Sequence, residues 1–236
     1  KAKYAEDYRA EGMLWTKLLL SPMPHARVKS IDTSAALAIP GVKAIITVDD
    51  LPSPVAGASL GEGINASTLT ERGLTMEPMY HGEPILAVAA VDEATAAEAV
   101  EKIVIDYEPL PFVVDPVKSL EVRLKHSLSK DEVRSRLDAA LVIDRTWVGQ
   151  NTSHQVLEPR SAMAYWQNGK LHLHAGTQST VQTVPNVARW VGVEPKDVVL
   201  VSEYTGGGFG SRIPGYIAMA IPALLSKKAN APVMMR

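Results

Sequence analysis

The stretch EYTGGGFGSRIPGY, Glu203 to Tyr216, sets Gly206, Gly207, Gly208 and Gly210 around Phe209 between two apolar runs. Strand, glycine-rich turn, helix is an arrangement that offers free backbone N–H groups to an anion, because glycine permits close approach and a helix start has unpaired donors. The stretch lacks the Lys-Ser/Thr pair of a phosphate loop, and Ser211 stands where the dinucleotide pattern G-x-G-x-x-G requires its last glycine. On spacing alone the turn reads equally as a ligand site and as a bend that lets one backbone pass close to another.

Other reactive types are sparser. His172 and His174, in HLH, share one face of a strand, a spacing that can ligate a metal, but no third ligand lies nearby, and half-exposed strand histidines explain them better. HQVLEPR gathers His154, Glu158 and Arg160, which serves an acid/base group or, preferably, a Glu158–Arg160 ion pair that fixes a strand start. Tyr107 to Pro109 and Met76 to Met79 read as strand end and loop packing. No G-x-S-x-G occurs, so nucleophilic hydrolysis has no support.

The elements that must hold these residues follow from periodicity and turn chemistry. MLWTKLLLSP reads as a strand ended by Pro22 and Pro24. ARVKSIDTSAALAIPGVKAIITVDDLP reads as strand, short helix capped by Asp32 or Thr33, a Pro40-Gly41 turn, and strand. GASLGEGINASTLTERG is expected to be loop, EPILAVAAV a strand covered on both faces, and DEATAAEAVEKIVIDYEPLP a helix then a strand. ALVIDRTWVGQ, AMAYWQ and KLHLHAGT are β-rich, with an Asn-Gly hairpin turn in QNGK. TVQTVPNVARWVGV predicts a helix with Val184, Val187, Ala188 and Val191 inward, Pro185 in its first turn and Gly192 at its stop. DVVLVSEY predicts a buried strand running into the glycine turn, and YIAMAIPALLSKKANAP a helix kinked at Pro222, with Lys227 and Lys228 suiting its C-terminal dipole. PVMMR starts a strand whose sheet partner is unspecified, so an incomplete polypeptide or a split subunit is expected.

A chain of 236 residues that is 46% hydrophobic can bury a core, and the pattern divides it into an α/β (α+β) domain over residues 1–120, a linker over 121–134 within the mixed polar stretch from Val117, and a second domain over 135–236. A net charge of −2 without long like-charge runs leaves no footprint for nucleic acid or an anionic membrane. The longest apolar stretch, GYIAMAIPALL, is short for a bilayer and contains Pro222. With no cysteine, neither an iron–sulfur cluster nor a thiolate zinc site can be built from this chain. No secretory segment is visible at the N-terminus, and a cytoplasmic location is expected, with the periplasm as the alternative.

Several stretches together resemble the molybdenum-containing hydroxylases, the xanthine dehydrogenase and aldehyde oxidase family. GMLWTKLLLSPMPHARVKSIDTSAALAIPGVKAIITVDDLP with HGEPILAVAAVDEATAAEAVEKIVIDYEPLPFVVDP is similar to the family's hammerhead domain. SHQVLEPRSAMAYW, LHLHAGTQS and EYTGGGFGSR, in that order, are similar to the opening of its molybdopterin-binding domain. The resemblance implies a molybdopterin cofactor, in plain or cytosine dinucleotide form, and substrate hydroxylation with oxygen from water. It further implies electrons leaving through iron–sulfur clusters. Expected partners are the remainder of the molybdopterin subunit, a [2Fe-2S] subunit or domain, and a chain with FAD or haem; no nucleic acid and no membrane span are expected.

Residue by residue, Gln178 matches the glutamine that hydrogen-bonds an oxygen ligand of molybdenum, Phe209 and Gly210 match the Phe-Gly whose backbone approaches that ligand, and Gly206, Gly207 and Gly208 match the glycines that permit the approach. An amide can donate without titrating, and fixed backbone donors give electrostatic help. Ile213 stands where purine-oxidising relatives carry a substrate-contacting glutamate, which implies an aldehyde or aromatic N-heterocycle rather than a purine. The family's catalytic glutamate, in a Gly-x-Gly-Glu context, has no counterpart here, so no catalytic residue and no direct metal ligand is assigned, and the chain is expected to be inactive alone. Two other readings remain: an assembly or binding module of the same fold without the metal, and a nucleotide-binding enzyme working through the glycine turn.

Overall fold

The computed structural model describes residues 2–52, 73–115, 131–132, 145, 147, 149 and 152–236. All but Gly73 of the loop expected over GASLGEGINASTLTERG, the linker from Val117 and most of ALVIDRTWVGQ lie outside the described residues. Residues 1–111 and 154–236 form one compact unit, and 112–153 a second, in which the described Phe112, Val113, Val114 and Trp147 are exposed.

The first unit is built on a sheet of seven strands among the described residues. Strands β1 (Leu14–Leu20), β3 (Val42–Ile46), β4 (Pro84–Ala90), β6 (Ala162–Gln167), β7 (Lys170–Ala175), β8 (Val198–Val201) and β9 (Val233–Met235) lie in the order β3-β4-β1-β9-β6-β7-β8. A separate antiparallel pair joins β2 (Ala26–Asp32) to β5 (Val104–Pro109). The α-helices of this unit among the described residues are α1 (Ser34–Leu37), α2 (Glu93–Lys102), α3 (Thr180–Val191) and α4 (Ile217–Ala229). The mixed α/β character expected from the sequence is present.

Strand β4 shows why the layers sit as they do. Its side chains alternate in direction: Ala87 and Ala89 join the large core that includes α3 and α4, while Leu86 and Val88 join a second core with Ala36 of α1 and Ala99 of α2. A strand covered on both faces needs a near-continuous apolar run, and EPILAVAAV supplies it. The first core also buries Leu171, Leu173, Ile221 and Leu225 completely, each contributing about 1.5–3 kcal/mol. The indole N–H of Trp166 donates to Ala223 O at 2.8 Å and fastens β6 to α4.

Three expectations need correction. Among the described residues strand β8 is the sheet's edge, paired with β7 alone, and it is half-buried rather than buried. Helix α3 begins at Thr180, capped by Ser179, so Pro185 lies inside it rather than in its first turn. Its ring costs one intrahelical donor, and the buried face of Thr183, Val187, Ala188 and Val191 outweighs that loss. Helix α4 also carries a proline, Pro222, in its interior; it is apolar nearly all round, and burial against the sheet holds it. Finally, the strand in PVMMR has both its partners in this chain: β9 is parallel to β1 and antiparallel to β6, with Val233 and Met234 fully buried. Elsewhere the turn chemistry holds, with Asn168 and Gly169 at φ 52° and 75° closing the β6–β7 hairpin and Asp92 capping α2.

Candidate functional site

Strands β7 and β8 run parallel, so their carboxyl ends lie at the same edge of the sheet. Crevices outside the carboxyl ends of strands are where α/β folds gather ligand-contacting loops. The segment after β7, Gly176 to Ser179, enters α3; the segment after β8, Ser202 to Tyr216, enters α4. Because β6 is antiparallel to β7 and Ala162 pairs with Ala175, the approach to β6 through Glu158 and Ser161 arrives at that same edge.

Gln178 and the glycine turn meet there. Its side-chain Oε1 accepts from Gly210 N at 3.0 Å and Arg212 N at 3.2 Å, and its own backbone N donates to Arg212 O at 3.1 Å. Two N–H donors on one amide atom require that atom to be the oxygen, so the Nε2 protons are left as the donors of this exposed side chain. Gly208 is buried directly beneath: a Cβ there would fall 2.6 Å from Gln178 Cγ and nearer still to the amide. Gly206 is equally constrained, since a Cβ would fall 2.6 Å from that of Glu158.

Gly208 to Ser211 form a tight turn, with Ser211 N donating to Gly208 O at 2.8 Å and Ser211 Oγ to the same oxygen at 2.7 Å. Phe209 and Gly210 occupy its centre at φ 49° and 97°, the positive values of a type I′ turn. For phenylalanine this is an unfavourable conformation, of order 1 kcal/mol, and the residue is 71% exposed as well. Gly207 lies against the Phe209 ring and Val156. Ile213 is half-buried, its carbonyl accepting from Thr183 Oγ1 at 3.2 Å.

The HQVLEPR segment takes a different part from the one expected. Glu158 pairs with Arg212, not Arg160; the side chains of both are almost wholly buried. Arg212 Nη1 donates to Glu158 Oε2, and Nη2 donates to the carbonyls of Glu158 and, at 2.9 Å, Pro159. Glu158 Oε2 also accepts from Gly206 N at 2.7 Å, and Oε1 from Ala5 N at 3.4 Å. Arg160 instead donates to Ser211 O at 3.0 Å. Reading along one chain favoured the partner two positions away, but the sheet edge brings in one that is 54 positions away. The sequence carries no local mark of that pairing. Thr177, Thr183 and Gly176 also escaped notice. Thr177 Oγ1 bonds Arg212 O and Thr183 Oγ1, and a Cβ on Gly176 would strike Arg212 Nη1.

Tyr216 closes the floor between the guanidinium groups of Arg160 and Arg212, 5.6 and 5.9 Å from its ring centre. Its hydroxyl reaches the carbonyls of Ser161 and Gly176 at 3.2 and 3.3 Å, and burial pushes its pKa up to about 12. The raised value means the neutral phenol stabilises the fold. That contribution is complete below the ordinary tyrosine value of 10.0 and is lost as pH rises through about 12. Tyr216→Phe should therefore flatten the alkaline limb of stability while costing about 1 kcal/mol at neutral pH; urea denaturation from pH 7 to 11.5 reads both, and an unchanged alkaline limb would refute the assignment.

His172 and His174 stand on the other face of β7 from Leu171 and Leu173. His172 stacks on Tyr165 at 4.8 Å, and His174 lies against Tyr8 at 4.4 Å, its pKa lowered by burial and by His172. Among the described residues no group of three or more His, Asp or Glu is placed to hold a metal ion, and no helix is long and apolar enough to cross a membrane.

Comparison with known proteins accounts for both halves of the molecule. Residues 1–111 match the family model "Aldehyde oxidase and xanthine dehydrogenase, a/b hammerhead domain", and residues 118–236 match "Molybdopterin cofactor-binding domain". Similar curated proteins include the carbon monoxide dehydrogenase large chain of Afipia carboxidovorans, 27% identical over 99% of this chain and 32% of that one. The nicotine 6-hydroxylase large subunit of Paenarthrobacter nicotinovorans is also 27% identical, over 99% of this chain and 31% of its own. Among solved structures, quinoline 2-oxidoreductase from Pseudomonas putida 86 superposes with a TM-score of 0.82 at 25% identity, over 98% of this chain and 32% of that one. The chain thus spans about a third of the length of these relatives. With the hammerhead model on its first half and the cofactor-domain model on its second, the chain belongs to the aldehyde oxidase and xanthine dehydrogenase family of molybdopterin proteins.

Proposed function

We propose that Gln178 and the turn Gly206-Gly207-Gly208-Phe209-Gly210 form one wall of a molybdopterin site, within an enzyme that hydroxylates an aldehyde or an aromatic N-heterocycle with oxygen from water. The observation that carries this is the fixed amide: Gly210 N and Arg212 N occupy Gln178 Oε1, which leaves Nε2 as a non-titrating donor on an exposed side chain. Such a donor fits an oxo-type oxygen and not a phosphate that needs several backbone N–H groups, because one of those groups, Gly210 N, is already engaged. Phe209 supports the reading, since a solvated aromatic ring at positive φ is costly in a free surface turn and is offset where it lines a site.

When bound, the cofactor supplies the two-electron oxidation chemistry. The chain's own residues orient: Gln178 Nε2 donates, Gly208 keeps the space that Gln178 fills, and Ile213 presents an apolar wall toward a planar or aldehydic substrate. In this proposal electrons leave through iron–sulfur clusters on a partner chain or domain, FAD or haem resides on another, and the general base is supplied from outside residues 1–236.

The test is metal and pterin analysis of the complete purified complex together with turnover of an aldehyde, a quinoline-type heterocycle and xanthine. Stoichiometric molybdenum and pterin are expected, with turnover of one of the first two classes and a fall on the order of 10² in Gln178→Ala. A fully assembled complex without the metal would leave the non-catalytic module standing, and turnover of xanthine alone would sink the role of Ile213.

A further inference from the structure

Most of what directs Gln178 passes through Arg212. The amide oxygen accepts from Arg212 N as well as from Gly210 N, two residues earlier, and the Gln178 backbone N donates to Arg212 O. Where the Arg212 backbone lies is set in turn by its side chain, which is fully buried and forked onto Glu158 Oε2 and the carbonyls of Glu158 and Pro159. Glu158 also grips the start of the same turn, through Gly206 N to its carboxylate and through its own N to Gly206 O at 3.3 Å. Both ends of the glycine turn are therefore docked on one residue, and Gln178 hangs from the second of those ends.

Stability alone does not call for charges here. A buried ion pair gains little over apolar side chains of the same volume, because desolvation cancels most of the attraction. What the pair supplies is direction: a planar fork with fixed acceptors admits one placement of the Arg212 backbone, where a flexible apolar chain admits several.

We propose that the buried Glu158–Arg212 pair is the positioning device of the site, fixing the Arg212 backbone so that the Gln178 amide can present only its Nε2 donor to the cofactor. The proposal rests on the cofactor-wall reading of Gln178 given above. Neither Glu158 nor Arg212 touches the reacting atoms; both act through Gln178.

The test uses the complete holo-complex with Arg212→Lys, Glu158→Gln, Gln178→Ala and the two doubles that combine Gln178→Ala with each pair variant. Arg212→Lys keeps the charge and loses the fork; Glu158→Gln keeps an oxygen for Gly206 N and loses the charge. Each is expected to retain molybdenum and pterin within about twofold and to lose turnover by ~10 to 10², the scale of a misplacement near 1 Å. Each should also shift the electron paramagnetic resonance signal of the partly reduced metal in the sense that Gln178→Ala shifts it. In the Gln178→Ala background the same changes should cost less than about twofold, since the group they position is gone. Undiminished losses in that background, or unaltered metal spectra, would overturn the proposal. Failure of both single variants to assemble would assign the pair to folding and overturn it too. A wild-type complex lacking molybdenum and pterin would instead remove the cofactor reading itself, a result recognisable before any variant is made.

Discussion

Gly208→Val is expected to abolish function in the complete complex, with turnover down by on the order of 10³ and molybdenum content reduced with it. The cause is a collision with no escape. A Cβ at 208 would lie 2.6 Å from Gln178 Cγ and closer to its amide, and valine adds two methyl groups beyond it. Contacts this short are resolved only by movement, and both partners are tethered: Gly208 O holds Ser211 N and Oγ, and Gln178 holds Gly210 and Arg212. The side chain that can yield is Gln178, whose exposed amide would swing out and surrender its two acceptor bonds. Gly149→Ala, where an added Cβ meets nothing within 4 Å and φ is not positive, is the matching control. Metal and pterin content with steady-state turnover, measured on both variants, decides the matter; wild-type values for Gly208→Val would mean that Gln178 and the turn do not form a ligand wall.

The second large effect is on stability. Arg212→Met should destabilise the fold by about 3–5 kcal/mol, because it leaves the Glu158 carboxylate in a site from which water is excluded, with only Gly206 N and Ala5 N to compensate it. For a chain of this size that corresponds to a fall in Tm of roughly 10 °C. Glu158→Leu should cost a similar amount by stranding the guanidinium. The double variant Glu158→Leu/Arg212→Met should recover much of the loss, since no buried charge remains. A thermal double-mutant cycle reads the coupling. Additive losses, or single variants within about 0.5 kcal/mol of wild type, a range typical of surface substitutions, would show that the pair is not buried in the assembled protein.

Much of the frame was legible because it obeys local rules. From Pro84 on, EPILAVAAV is apolar at every position, which suits a strand with a helical layer on each side, and Asn168-Gly169 demands a two-residue hairpin whatever surrounds it. The glycine turn and Gln178 were found through resemblance, and geometry places them in hydrogen-bond contact. What escaped detection is non-local. DVVLV has the composition of an interior strand, and nothing in those residues records that it is the edge of the sheet among the described residues. Glu158 sits two positions from Arg160, yet the carboxylate finds Arg212 because the approach to β6 and the segment after β8 meet at one edge. His172 and His174 have metal-ligand spacing, but the aromatic rings of Tyr165 and Tyr8 occupy the face they share.

Strand β9 carries a consequence for how the polypeptide acquires its structure. Among the described residues three, Val233 to Met235, link β1, near residue 14, to β6, near residue 162, in the sheet. On the ribosome, β1 can pair with β4 as soon as residue 90 emerges, but its other edge stays open for well over a hundred residues of further synthesis. Sequence separations that long slow folding, because the entropy of loop closure must be met before the contact returns anything. An unpaired strand edge is also a site for wrong partners in the interval. A nascent chain of this protein therefore passes through a vulnerable stage whose duration is set by translation, and β9 ends it.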